Sequence, residues 1–153
     1  MELFRISRVQ YQDDLTGIGA FRHGGRWNSP GHHMLYTASH RSLAMLEVLV
    51  HLNKSIPPPD YVIVVLYVPD AMVTVNAPYV VADWEYEQQW SKDLGDKWLR
   101  EKNSLLCRVP SIVVKSEYNY LINPAHENAG AIKVVDKEPF EFDTRLFTSF
   151  VNK

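Results

Sequence analysis

Two hydrophobic periods alternate along this chain. Leu3–Ser7 reads as a first strand and Met34–Ala38 as a second, each a short apolar run bounded by polar residues or glycine. A helix is predicted over Arg41–Asn53, with Ser39 as its N-cap. At about 100° per residue, Leu43, Leu46, Leu49 and Val50 share one broad face, while Met45, Val48 and Leu52 make the back apolar too. The polar stripe left is narrow: His40, Glu47 and His51, with Ala44 between them. A helix this apolar is normally buried, so its one acidic group, Glu47, must face a cleft or a partner.

Tyr61–Val68 reads as a central strand buried on both faces, with Val73–Val75 another short one. Trp90, Leu94, Trp98 and Leu99 fall at helical spacing within Trp84–Asn103, interrupted by Gly95, which predicts one or two helices. Leu105–Val109, Ser111–Lys115 and Tyr118–Ile122 follow as short strands, and Ile132–Val135 and Phe140–Phe142 close the sheet. Strands cluster at both ends and regular βαβ alternation is missing. The expected fold is therefore α+β, one domain over residues 1–153 with a mixed or antiparallel sheet core and inserted helices.

Composition narrows the function. A net charge of −2 and a pI near 6.3 give no cationic field for nucleic acid. Cys107 is the only cysteine, so no internal disulfide or CxxC site forms. The longest apolar stretch is too short to span a bilayer, and Met1–Arg5 does not read as a secretion signal. A cytoplasmic protein without membrane or direct nucleic-acid partners is expected.

Motifs for dinucleotide binding, P-loops, zinc proteases, serine hydrolases and EF-hands are missing. His32 and His33 are adjacent and would point to opposite faces of a strand. Glu47, His51 and His126 lack a strong metal-ligand pattern, so no metal is expected. Cys107 sits in an apolar run and reads as core. The informative stretch is Gly24-Gly25-Arg26-Trp27-Asn28, within a glycine-rich segment, Thr16–Gly31, expected to be a long structured loop. Its glycines allow close backbone approach, and Arg26 offers a planar fork for phosphate or carboxylate. A glycine turn carrying a surface arginine is the plainer alternative. Tyr36 could supply an aromatic platform and Ser111 a hydroxyl, against core packing and backbone capping respectively.

The succession GxGAxxxGGRWNxxG (Gly17–Gly31), LYTA (Leu35–Ala38), LAxLEVLVH (Leu43–His51), VPS (Val109–Ser111) and NYLINPAH (Asn119–His126), closed by FDTRL (Phe142–Leu146), resembles the RES domain. That domain is named for an arginine, a glutamate and a serine, which match Arg26, Glu47 and Ser111 here. The resemblance implies a fold like that of ADP-ribosyltransferases and a toxin of a toxin–antitoxin pair that depletes NAD. NAD would be a consumed substrate, with no cofactor and no metal. It also implies an Xre-type antitoxin covering the active site, and leaves open a toxin homodimer within that complex.

On this reading Glu47, Arg26, Tyr36 and Ser111 form the catalytic set, with Asn119 a weaker candidate left outside it, while Gly25, Arg26, Trp27, Asn28 and Tyr36 bind NAD. Hydrolysis or phosphorolysis of the nicotinamide–ribose bond is the leading activity. A protein ADP-ribosyltransferase using the same site, or a non-catalytic module binding a nucleotide or a partner, are the alternatives. An RNase toxin is disfavoured by the acidic pI.

Overall fold

The computed structural model describes residues 1–52, 56–72, 74–77 and 81–147. Seven strands form one sheet: β1 (Glu2–Arg8), β2 (Leu35–Ala38), β3 (Tyr61–Tyr67), β4 (Thr74–Asn76), β5 (Leu106–Pro110), β6 (Tyr118–Ile122) and β7 (Lys133–Phe140), in the order β4-β5-β6-β2-β1-β3-β7. Only β4 and β5 run parallel; every other neighbour is antiparallel. Among the described residues three α-helices are inserted, α1 (Ile18–His23), α2 (Arg41–Leu49) and α3 (Gln88–Glu101). The α+β mixed sheet expected from the pattern is the architecture found.

Both long helices lie on the same face of the sheet. Leu43 and Ala44 of α2 pack on Phe4, Ile6, Ala38, Ile63 and Val65, so α2 covers β1 and β3. Trp98 and Leu99 of α3 pack on Cys107, Val109 and Leu121, together with Trp27 from the glycine-rich segment, so α3 covers β5 and β6. Leu3, Leu35, Val62, Val64, Leu66, Leu106 and Ile122 fill the opposite face. The alternation of β3 between these two clusters is what its unbroken apolar run encodes. It is an interior strand, one place in from the edge rather than central.

Several expected elements differ. The glycine-rich segment is not all loop, because Ile18–His23 turn into α1. Ser39 is not the cap of α2. His40 holds that position without a side-chain bond, and Ser39 Oγ pairs with His40 Nδ1 at 2.9 Å. The regular helix stops at Leu49, where Leu52 N reaches back to the Leu49 carbonyl in a tightened final turn; Asn53 lies outside the described residues. Nor is α2 deeply buried, since Val50 is 56% exposed and Met45–Leu49 are half-buried along a cleft.

Val73 is outside the described residues, and β4 begins at Thr74. Within Trp84–Asn103 a 3-10 turn at Trp84–Tyr86 precedes a single unbroken α3. Ser111–Lys115 is no strand but part of the β5–β6 hairpin loop, where Ser111 Oγ accepts from the amides of Val113 and Val114, both at 3.1 Å. The last two expected strands are one, β7, with Pro139 accommodated because β7 is an edge.

Candidate active site

Strands β1 and β2 are joined at a single residue pair, Phe4 and Ala38. Beyond it the strands need not stay in register, and a cavity of about 830 Å³ opens there, lined by Ile6 and Arg5 on one side and Tyr36 and Thr37 on the other. α2 contributes Glu47, Val48 and His51 to its wall, α3 contributes Gln88 and Lys92, and the glycine-rich segment contributes Gly24, Gly25, Arg26 and Trp27. That size is within the usual range for small-molecule sites, about 300–1,000 Å³.

The Arg26 loop is held from both sides. Trp27 is buried against Trp84 and Trp90. From α3, Ser91 Oγ donates to the Arg26 carbonyl at 2.6 Å, and buried Asp96 accepts the Ser29 amide at 2.9 Å. Gly95 lets α3 come this close: a Cβ there would stand 1.7 Å from the Trp27 carbonyl oxygen. Among the described residues the Arg26 guanidinium has one tether, Nη1 to the Glu85 carbonyl at 2.9 Å, which leaves its other donors available.

Tyr36 enters from β2. Its hydroxyl donates to Asn28 Oδ1 at 2.7 Å and accepts the Trp27 amide at 3.0 Å. Burial pushes the phenol well above its ordinary pKa, so it stays neutral. Gly25 makes room for this hydroxyl, since a Cβ there would lie 2.5 Å from it. Asn28 is fully buried, with its amide spent on the carbonyls of Ala20, Ser29 and His32. It braces the loop and Tyr36 and does not line the cavity. Tyr36→Phe leaves Asn28 Oδ1 and the Trp27 amide without this partner, so denaturant unfolding should show a loss of about 1–3 kcal/mol.

Glu47 projects from α2 toward the β5–β6 hairpin. Ser111 Oγ donates to Glu47 Oε1 at 2.6 Å, and Asn119 Nδ2 donates to the same oxygen at 2.7 Å. Because Ser111 Oγ already accepts two backbone amides, its single proton is directed to Glu47. Ser111 is 1% exposed and stands behind the carboxylate, outside the cavity lining. Both bonds converge on Oε1, so Oε2 is left unengaged among the described residues, on a side chain that lines the cavity.

The structure therefore brings Arg26, Tyr36 and Glu47 to one cavity, with Gly25 and Trp27 in its wall, and sets Asn28 and Ser111 behind them. Residue-by-residue reading missed two contributors, Arg5 and Lys92, and set a third, Asn119, outside the catalytic set. Asn119 shares Glu47 with Ser111; its place in the Asn119–His126 block was the one signal for it. Arg5 lies in the split between strands, with Nη1 2.5 Å from the Asp14 carbonyl; burial works against its charge and Asp14 partly restores it. Lys92 becomes visible only once α3 is placed beside Arg26. Cys107 is buried, which pushes its thiol up to about 12 and keeps it protonated. Among the described residues no group of three or more His, Cys, Asp or Glu could hold a metal ion. Among them, too, no helix is long and apolar enough to cross a membrane.

The chain is 38% identical over 146 residues to the "Prs ADP-ribosylating toxin" of a Sphingobium species, covering 92% of this chain and 91% of that one. It is 36% identical over 151 residues to "Toxin Res" of Pseudomonas putida, covering 96% and 100%. In fold it is similar, at a TM-score of 0.71 and 18% identity, to a chain in the crystal structure of the M. tuberculosis MbcT–MbcA toxin–antitoxin complex, covering 95% of this chain and 86% of that one. The RES domain profile matches residues 2–143, a span that contains every residue lining the cavity, and the chain belongs to the RES domain family.

Proposed function

We propose that this chain is the toxin of a toxin–antitoxin pair and that it breaks the nicotinamide–ribose bond of NAD. The observation that carries the reading is the unengaged Oε2 of Glu47 in the same cavity as Arg26. When the bond between ribose C1′ and the nicotinamide nitrogen breaks, its electron pair leaves with nicotinamide, which becomes neutral. Positive charge then develops on the ribose. A carboxylate already oriented toward that carbon stabilises the charge without reorganising, the kind of term that dominates much of catalysis. A nucleophile then completes the reaction at C1′: water, phosphate or a protein side chain.

Arg26 is placed to bind the pyrophosphate, which holds the reacting bond beside Glu47. Tyr36 lines the same cavity, with its hydroxyl committed to the loop and its ring left to pack on nicotinamide or ribose. Gly25 and Trp27 form the wall along which the dinucleotide lies. Asn28 acts through Tyr36, and Ser111 through Glu47. Arg26→Ala should raise KM for NAD about tenfold to a hundredfold, the worth of a charge-assisted hydrogen bond, with a smaller change in kcat. Steady-state kinetics checks this, and unchanged KM and kcat together would remove Arg26 from the site.

A second reading has its own support, the name of the Sphingobium relative, an ADP-ribosylating toxin. The same cavity would then pass ADP-ribose to a protein. NAD labelled in the adenosine half separates the two: label retained on protein marks the transferase, and label only in small molecules marks hydrolysis or phosphorolysis. NAD that binds without turnover would instead mark a non-catalytic module. Because an NAD-consuming enzyme harms its host, an antitoxin of Xre type that covers the cavity is the expected partner. The cytoplasm, where NAD and that partner meet, is the expected compartment.

A further inference from the structure

We infer that Asn119 is a positioning residue for Glu47, and that its orientation is kept at the expense of the stability of the fold. The claim rests on the proposed NAD-cleaving role of Glu47. Asn119 faces Ala38 and Val109 across the sheet, at the foot of the cavity. Its Nδ2 lies 2.7 Å from Glu47 Oε1. The amide cannot be turned round, because its oxygen would then stand against a carboxylate oxygen.

With Nδ2 so committed, Oδ1 is buried without a hydrogen-bond partner, and it is the one side-chain atom in that condition among the described residues. The fully buried asparagines, Asn28 and Asn123, are satisfied. Asn28 uses both ends of its amide, and Asn123 Nδ2 donates to the Leu99 carbonyl while its Oδ1 accepts the Ala125 amide. An unpaired buried acceptor destabilises a protein, so the asymmetry at Asn119 calls for a compensating role.

The two donors on Oε1 supply it. Ser111 is locked by the hairpin backbone, but one hydrogen bond lets the carboxylate pivot about Oε1. The second, from Asn119, restricts that pivot and fixes where Oε2 points. Strain of this kind collects at sites where geometry matters more than stability.

The test is Asn119→Leu, which keeps the size of the side chain and removes both the donor and the unpaired acceptor. The expected result is a kcat on NAD lower by about tenfold to a hundredfold, the rate equivalent of one hydrogen bond to a charged group. KM should stay within about twofold, because Asn119 is assigned no contact with the dinucleotide. The thermal midpoint should equal or exceed that of the wild type. Asn119→Asp, which keeps the shape but offers no N–H to Glu47, should lose kcat as well. Wild-type kcat in both variants, or a kcat loss matched by a lowered midpoint in Asn119→Leu, would overturn the inference. If the wild-type chain does not turn NAD over, the functional reading fails first. The midpoint of Asn119→Leu then decides the structural half by itself, and a lowered value overturns it.

Discussion

Glu47→Gln should abolish NAD consumption, by about 10³-fold or more, while the protein stays folded. The geometry makes this substitution unusually clean. Ser111 Oγ and Asn119 Nδ2 both donate to Oε1. A glutamine can present its carbonyl oxygen to both donors and place its NH₂ where Oε2 was. Both supporting bonds then survive and only the negative charge is lost. Circular dichroism and the thermal midpoint should stay near wild type. Substrate binding should persist, because the Arg26 loop is held by Ser91, Asp96 and Trp27 without help from Glu47. A folded Glu47→Gln variant with full turnover would remove the carboxylate from the chemistry.

The second large effect is on the frame of the site. Gly95→Ala adds one methyl group, ordinarily a gain inside a helix, where alanine is favoured by about 1 kcal/mol. Here the new Cβ would stand 1.7 Å from the Trp27 carbonyl oxygen and 2.8 Å from its carbonyl carbon. Neither is the end of a flexible side chain, so α3 and the loop have to separate. That movement breaks the Ser91–Arg26 and Asp96–Ser29 bonds and loosens Trp27 from Trp84 and Trp90. We expect a loss of about 3 kcal/mol or more in denaturant unfolding, at the upper end of overpacking effects, and with it a loss of NAD binding as Arg26 leaves its place. Gly130, whose Cβ would meet nothing within 4 Å and which does not line the cavity, is the control: Gly130→Ala should leave both stability and binding near wild type.

Gly95 also shows where reading the chain in order reaches its limit. Within Trp84–Asn103 it looks like an interruption, because local propensity is all that a sequence window holds. Its actual role is set by a loop some seventy residues earlier. The run Ile112-Val113-Val114 is a similar case: three β-branched residues suggest a strand, but the Ser111 hydroxyl takes two of their amides and turns the chain. Where a pattern is decided by faces, as in β1, β3 and β6, the strands lie within a residue or two of their expected places.

The site was legible to a similar degree. Arg26, Tyr36 and Glu47 stand out in sequence and meet in one cavity. That Ser111 and Asn28 stand behind the cavity wall could not be read, because a hydroxyl or an amide gives no sign of which way it faces. Asn119 was ranked below the catalytic set, and Arg5, like Lys92, was passed over. Asn119 acts through a hydrogen bond between distant elements, and Arg5 depends on β1 and β2 parting after a single pair.

The measurement that bears most directly on the account is nicotinamide release from NAD by the purified chain, followed over time beside Glu47→Gln, with and without added phosphate. Nicotinamide should appear mole for mole with NAD loss in the wild type, with none above background in the variant. Phosphate dependence would assign the acceptor. Saturable NAD binding by the wild type with no nicotinamide released, with phosphate or an acceptor protein present, would contradict the account.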